Sequence, residues 1–406
     1  MLDRVPGYVW TFVALVSGIL LGGFFPELLN PVASGTKALI RFIVAIVPIL
    51  IFFALSPAIA TLVKRGLAGK FAGSVILWFV ATSAVAGLWG VIASSFIFGI
   101  PFSSKFSSIS SEIMKMFQRL GQGGASMPLL SIVGAVAAGF IAIWIEPLYK
   151  FFSIIQKGIA RAGRTIAYAM IPLLLCFGVT IGVNFGARLG MGHYITMGLY
   201  SFILCFVWWL FYVFIIIKSV AKQPVGKVLK EYFVPTGLIA AGTCSSMATL
   251  PVNLIYAKKY GVRDEIADFV IPFGAVFNMD GSALAYIAFA PFILAYIYHL
   301  EVSWTLMFIA WPAHVLFTIA SPGLPAPVGT ALWSSTLFTS MIGLQDPARA
   351  TVIATWLALC SGFPDMFITT VNSTDDGFSA ITFHHFFDRF FKQKSKKAAQ
   401  EIKATR

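Results

Sequence analysis

The stretch Gly242-Thr243-Cys244-Ser245-Ser246, with Pro251 close behind it, interrupts an apolar segment whose two flanks are both basic. Lys218, Lys222, Lys227 and Lys230 precede it, and Lys258, Lys259 and Arg263 follow. Lys and Arg between apolar stretches mark the cytoplasmic side of a membrane. With both flanks on that side, the segment enters and leaves through one face and is not an ordinary span. A second apolar stretch, 303–344, is interrupted by Ser321-Pro322-Gly323-Leu324-Pro325. It has acid-containing ends (Glu301, Asp346) and few Lys or Arg, and reads as a hairpin opening the other way. Either break alone reads as a kink in a plain span. Two matched breaks, with a charge pattern that forbids spanning, reverse that reading. Two re-entrant hairpins of opposite orientation are the pattern of inverted-repeat secondary transporters, in which unwound midplane backbone coordinates ions.

The rest of the chain fits an all-α polytopic membrane protein. Of 406 residues, 58% are hydrophobic and 11% charged, too little charge to cover a soluble surface of this size. The net charge of +13 falls in short runs between apolar stretches, which reads as loops beside anionic lipid rather than a nucleic-acid partner. Spans of about 20 apolar residues are predicted near 8–26, 38–63, 71–100, 125–148, 166–190 and 194–217, with an amphipathic stretch, Ser103 to Gln122, before the fourth. The segment 265–298 should be broken at Gly274 and again at Asn278-Met279-Asp280-Gly281, and one last helix should run over 348–388. Cytoplasmic loops are expected at Lys64/Arg65/Lys70, at Lys150/Lys157/Arg161/Arg164 and at the tail from Lys392, which leaves both termini inside. The first apolar stretch, Tyr8 to Phe25, lacks a small-residue cleavage site and reads as a retained helix. Cys176, Cys205, Cys244 and Cys360 have no CxxC spacing, so no disulfide framework or cysteine metal site is indicated.

Polar residues inside apolar stretches carry the chemistry. Asp365, Thr369, Asn372 and Asp376 stand at 0, +4, +7 and +11. At about 100° per residue they share one helix face. Acids at membrane depth are read by default as a substrate or ion pathway. Asn278-Met279-Asp280-Gly281-Ser282 puts a carboxamide, a carboxylate and free carbonyls at one helix break, which suits a hard cation. A polar helix–helix contact is an equal reading of that motif alone. Thr82-Ser83 could add two hydroxyls, although such residues more often bond back to their own helix.

The run Cys244-Ser245-Ser246-Met247-Ala248-Thr249-Leu250-Pro251, followed by Pro272-Phe273-Gly274-Ala275-Val276-Phe277-Asn278-Met279-Asp280-Gly281-Ser282 and the D-x3-T-x2-N-x3-D stripe, resembles the dicarboxylate/amino acid:cation symporter family. That is the family of the excitatory amino-acid transporters and their archaeal aspartate homologues, and the likeness covers nearly the whole chain. It implies eight transmembrane helices, two re-entrant hairpins, an elevator mechanism and a homotrimer in the plasma (inner) membrane. It also implies a scaffold (1–70 and 101–190), a mobile transport unit (71–100 and 191–392) and a basic cytoplasmic tail (393–406). Three sodium sites are implied. One uses the carbonyls of Gly274, Asn278 and Asn372 with the Asp376 carboxylate. A second uses the Phe79 carbonyl, Thr82, Ser83, Asn278 and Asp280. A third uses carbonyls around Val276 and the second hairpin at Thr318, Ile319 and Ser321. For substrate, Ser245, Ser246 and Asn372 would take an α-carboxylate, Asp365 an ammonium, and Thr369 would add a hydrogen bond. Sodium is then the cotransported ion, with no organic cofactor.

The departures from the family pattern bear on cargo. Acidic-substrate members hold the side-chain carboxylate with an arginine where this chain has Ile368. An arginine that some members carry on the first hairpin is Cys244 here. Ser282 replaces the usual threonine and Met247 a serine, which also reshapes the pocket. A second substrate carboxylate without a cation would be desolvated at a cost of several kcal/mol. The expectation is therefore a sodium-coupled symporter of amino acids with small neutral side chains. An acidic amino-acid or C4-dicarboxylate symporter is the alternative. A membrane-embedded enzyme is a further one, disfavoured because His193, His314, His384 and His385 lack HExxH spacing and Asp375-Asp376 is not a two-helix acid dyad. A passive channel is another, disfavoured because the implied substrate and ion sites share ligands.

Overall fold

A computed structural model describes residues 7–64, 70–101, 114–115, 118, 126–142, 144–319 and 329–404. Among them the secondary structure is helical throughout, with no strand. The expected amphipathic stretch Ser103 to Gln122 lies almost wholly outside the described residues, as does the second hairpin's tip with Ser321.

The first helix (Gly7–Phe24) turns at Phe25 into the second (Pro26–Lys64), with proline at a first helical position, where its missing N–H is not needed. The third helix (Lys70–Ile97) and a shorter one (Ser126–Ile141) follow. The next run, Glu146–Phe211, is helical over 66 residues except at Gly186 (φ 75°, ψ 162°). It cannot be straight. A side chain at Gly190 would meet Ile181, nine residues earlier, and nine residues of straight helix span about 13 Å. The chain therefore doubles back at Gly186, a backbone conformation that glycine adopts without strain. The sequence reading placed this turn between 190 and 194 and a loop at Lys150 to Arg164. Both expectations are corrected, since those basic residues lie within the helix. Lys and Arg are good helix formers, so charge marks the edge of an apolar slab but not the end of a helix.

The segment that opened the sequence reading forms a hairpin. Helical turns at Val225–Val228 and Leu229–Phe233 lead into the first arm (Val234–Thr243), and the second arm is Ser246–Tyr260. Cys244 ends the first arm in the left-handed region (φ 46°, ψ 34°). Ser245 caps the second, its Oγ accepting from the Ala248 N–H at 3.3 Å. The outer ends meet where the Tyr260 hydroxyl donates to Gln223 Oε1 at 3.0 Å and Lys227 lies 5.1 Å from the Tyr260 ring. The segment thus ends where it began, as the flanking lysines require.

The helix Asp264–Phe277 stops at Asn278-Met279, and Asp280–Ala290 restarts it. Gly274 does not break it and sits inside a regular turn, which corrects the double break expected there. This segment runs through the middle of the molecule, with every side chain from Met279 to Leu294 buried. The arms of the second hairpin are Trp304–Ile319 and Thr330–Met341. The predicted last helix is two, Ala348–Cys360 and Phe363–Ala404, bent by 68° at Ser361-Gly362. Gly362 (φ 68°) supplies the bend, and the polar stripe begins just beyond it.

Among the described residues, Gly73–Ile97, Asp264–Ile297 and the apolar stretch Ile171–Val220, which Gly186 divides, are candidate membrane spans by length and composition, and the bent pair 348–386 makes a further one. The chain is an integral membrane protein.

Candidate functional site

At the centre of the bundle the Asn278-Met279 break faces the last helix. Asn278 leaves helical geometry (φ −100°, ψ 100°). Its Nδ2 donates to Asp376 Oδ1 at 3.2 Å. The Asp376 carboxylate lies against Gly274, where a Cβ would overlap it. The other oxygen, Asp376 Oδ2, is buried and has no hydrogen-bond partner among the described residues. Asp280, first residue of the restarted helix, accepts from the Ser83 hydroxyl at 2.7 Å, the Thr82 hydroxyl at 3.2 Å and the Tyr212 hydroxyl at 3.3 Å.

Thr82 exposes a shortage of protons. Its Oγ1 lies 3.2 Å from the Phe79 carbonyl, 3.4 Å from Asn278 Oδ1 and 3.2 Å from Asp280 Oδ1. One hydroxyl proton serves one of these acceptors well. Five oxygens from Phe79, Thr82, Ser83, Asn278 and Asp280 thus crowd a fully buried spot with fewer hydrogens than lone pairs. Such an arrangement suits a hard cation, which binds oxygens directly.

One turn earlier on the same face of the last helix, Asn372 and Ser282 clasp each other. Asn372 Oδ1 accepts from the Ser282 N–H at 3.1 Å, and its Nδ2 donates to Ser282 Oγ at 3.0 Å. Gly281 permits this approach, since a Cβ there would overlap the Ile368 carbonyl. The Ile368 side chain is fully buried in the apolar core. Asp365 Oδ1 accepts from the Thr369 hydroxyl at 3.3 Å and the Tyr286 hydroxyl at 3.4 Å. All four stripe residues are buried.

The first hairpin closes onto the same helix. Ser246 Oγ accepts from Ser373 Oγ at 3.4 Å, and Ser245 sits at the tip as the helix cap. The Cys244 thiol lies 3.9 Å from the Gly362 carbonyl, so the tip meets the bend of the last helix. The structure brings Phe79, Thr82, Ser83, Gly274, Asn278, Asp280, Ser282, Asn372 and Asp376 into one cluster, with Asp365, Ile368 and Thr369 adjoining it. The third predicted ion set, built from carbonyls, falls partly outside the described residues. The Thr318 hydroxyl donates to the Val315 carbonyl at 2.7 Å. Val276 is half-buried, Ile319 is buried, and Ser321 lies outside the described residues.

Sequence reasoning missed several partners. Trp208 Nε1 donates to Asp375 Oδ2 at 2.9 Å. Tyr212 supports Asp280 and Tyr286 supports Asp365. Asn253 Nδ2 donates to the Ser373 carbonyl at 2.6 Å, while the Tyr232 hydroxyl lies 2.7 Å from Asn253 Oδ1 and 3.1 Å from the Thr374 carbonyl. The only signal in the sequence was the presence of Tyr and Trp in mid-membrane stretches, where their polar atoms need partners.

A helical bundle that buries carboxylates, hydroxyls and carboxamides around two broken helices is the architecture of a membrane carrier. Residues 8–386 match the sodium:dicarboxylate symporter family, and the chain belongs to that family. It is similar to the C4-dicarboxylate transport protein of Pectobacterium atrosepticum, 26% identical over 317 residues that cover 70% of this chain and 71% of that one. It is likewise similar to the C4-dicarboxylate transport protein of Rhizobium leguminosarum, 27% identical over 326 residues, 73% of this chain and 71% of that one. These are the names of transporters, not of enzymes.

Proposed function

We propose that the chain is a sodium-coupled symporter that carries small carboxylate-bearing solutes, with C4-dicarboxylates as the first reading of its cargo. The observation that carries the ion half is the proton-poor oxygen cluster of Phe79, Thr82, Ser83, Asn278 and Asp280. Asp376, with one buried oxygen lacking a partner among the described residues, supplies a second formal charge 3.2 Å from the same Asn278. Sodium is held as cotransported cargo by these residues. Asn372 and Ser282 join that cluster to Asp365 and Thr369, and coupling needs such shared residues. The names of the similar proteins support a dicarboxylate over a neutral amino acid.

A second reading is favoured by one feature of the site. Asp365 is a buried carboxylate oriented by two hydroxyls, and Ile368 stands where acidic-substrate members of the family have arginine. That pairing suits the ammonium of a zwitterion with a small neutral side chain. The wider organisation we propose is eight spans and two re-entrant hairpins in a homotrimer in the inner membrane, with both termini cytoplasmic. Residues 1–70 and 101–190 form the scaffold, and 71–100 with 191–392 form the unit that moves as an elevator. The buried acids among the described residues fall within the second group.

Uptake of labelled succinate into proteoliposomes, with and without an inward sodium gradient, tests the proposal, with malate, aspartate, alanine, serine and threonine as competitors. Sodium-driven uptake blocked best by malate is the expected result. Alanine, serine or threonine outcompeting succinate moves the cargo to the second reading. Uptake of every solute without regard to sodium overturns the symport itself.

A further inference from the structure

His314 lies in the first arm of the second hairpin, fully buried, and nothing above uses it. Its Nε2 is 3.1 Å from the Ala283 carbonyl and 3.3 Å from the Ser282 carbonyl. Its Nδ1 is 2.9 Å from Ser334 Oγ, on the other arm. Carbonyls only accept, so Nε2 carries the proton. In a neutral ring Nδ1 then accepts from Ser334. Ser334 Oγ is also 2.8 Å from the Thr330 carbonyl, so its single proton is shared between its own helix and the ring.

The Ser282 end of this link is what gives it consequence. Ser282 is held by Asn372 through both its N–H and its hydroxyl. Asn372 stands on the stripe between Asp365 and Asp376, and Ser282 follows Asp280 by two residues. One continuous series of hydrogen bonds therefore runs from both arms of the second hairpin, through one imidazole, to the residue shared by the substrate and ion halves of the site. Coupling between two sites requires an element whose position both of them bias. The hairpin, tethered at Ser282, has that placement.

We propose that His314 is a positioning residue that ties the second hairpin to Ser282 and Asn372, so that sodium–substrate coupling depends on its Nε2–H. This rests on the sodium-coupled reading above. The two ring nitrogens can be separated by substitution. His314→Gln can still place an amide N–H near the Nε2 position. His314→Asn reaches only as far as Nδ1, keeps Ser334 and releases the two carbonyls. Ser334→Ala keeps Nε2 but removes the group that fixes the ring.

The test uses the purified full chain and measures the sodium concentration for half-maximal thermal stabilisation. It is run alone, with saturating succinate and with saturating L-serine, with choline chloride as the ionic-strength control. The wild type should bind sodium about tenfold more tightly in the presence of one of these solutes, a usual size for coupling between sites. His314→Gln should retain most of that factor, His314→Asn should lose nearly all of it, and Ser334→Ala should fall between them. Sodium affinity measured without solute should change far less than the coupling factor, which a general loss of packing would not produce. A folded His314→Asn that couples like the wild type overturns the proposal, as does His314→Gln losing as much as His314→Asn. If His314→Asn fails to fold, wild-type coupling in Ser334→Ala overturns it. A wild type whose stability ignores sodium overturns the symport reading instead.

Discussion

Two groups of glycines mark two regions of this molecule, and they are crowded for different reasons. Gly18 and Gly22 on the first helix face Gly178 and Gly182 on the long helix that follows. A Cβ at any of them would overlap the backbone of the other helix, at Leu175, Val179, Leu15 or Ile19. Gly274 and Gly281 are just as crowded, but against the Asp376 carboxylate and the Ile368 carbonyl, with Asn372 Oδ1 beside the latter. The first seam is backbone on backbone. Lipid gives apolar helices no hydrophobic reason to associate, so close packing of small residues supplies the attraction. The second pair admits polar atoms to a helix axis that any side chain would cover. The same residue type builds a joint in one region and the proposed binding site in the other.

Asp376→Asn tests the second region most severely, because it removes a formal charge from an oxygen cage. Apparent sodium affinity should fall on the order of a hundredfold, or about 2.7 kcal/mol, with the ranking of substrates kept. Sodium titrations of purified protein read this directly, and an unchanged midpoint would remove Asp376 from the ion site. Gly274→Ala should move sodium affinity in the same direction by displacing that carboxylate, whereas Gly178→Ala should not. If both glycine variants alter sodium affinity alike, the contrast between the two regions fails.

Asp365→Ala separates the two cargo readings by the sign of its effect. For a zwitterion it leaves an ammonium unpaired in a dry site, a loss on the order of 3 kcal/mol. For a dicarboxylate it removes a like charge, and succinate should bind more tightly. Ile368→Arg should raise the preference for acidic solutes under either reading, because a guanidinium holds a carboxylate bidentately. Competition binding with succinate, aspartate and serine scores both variants.

What the sequence disclosed follows from the same physics. The first hairpin was legible because lysines on both flanks cannot cross a bilayer, and the chain does return from Tyr260 to Gln223. The stripe and the Asn278 break were legible because acids inside an apolar stretch are costly unless used. Gly274 was misread as a break for the reason just given, since a glycine pressed by a carboxylate and a glycine ending a helix look alike in sequence. The reversal at Gly186 was misplaced and the bend at Gly362 missed, because each depends on one positive-φ glycine among many glycines. His314, Tyr286 and Asn253 were invisible as partners, because their acceptors lie 31 or more residues away along the chain.

Gly22→Ala should give an effect smaller than those at the acids and confined to stability. A methyl forced against Val179 pushes two helices apart, and overpacking of this kind costs typically about 1–3 kcal/mol. The melting temperature should drop while sodium affinity and substrate ranking hold. A variant that melts normally would mean that the seam yields, and that its glycines are not what brings these helices together.

The smallest effect belongs to charge without burial. Lys258, at the end of the first hairpin's second arm, lies 2.8 Å from Asp268 and 3.4 Å from Asp264. Hydrogen bonding to Asp268 raises its pKa above the usual lysine value, with Asp264 adding to the effect. A raised lysine pKa contributes stability that is present below the unfolded value, about 10.4, and is lost as pH rises through the folded one. The contribution is therefore fully present at neutral pH, yet solvent screens such a pair and its net worth is slight. Lys258→Met should leave the melting temperature almost unchanged at pH 7, and sodium affinity with it. A large loss in either would mean that this exposed triad holds the hairpin in place, and that burial is not what divides the charges that matter here from those that do not.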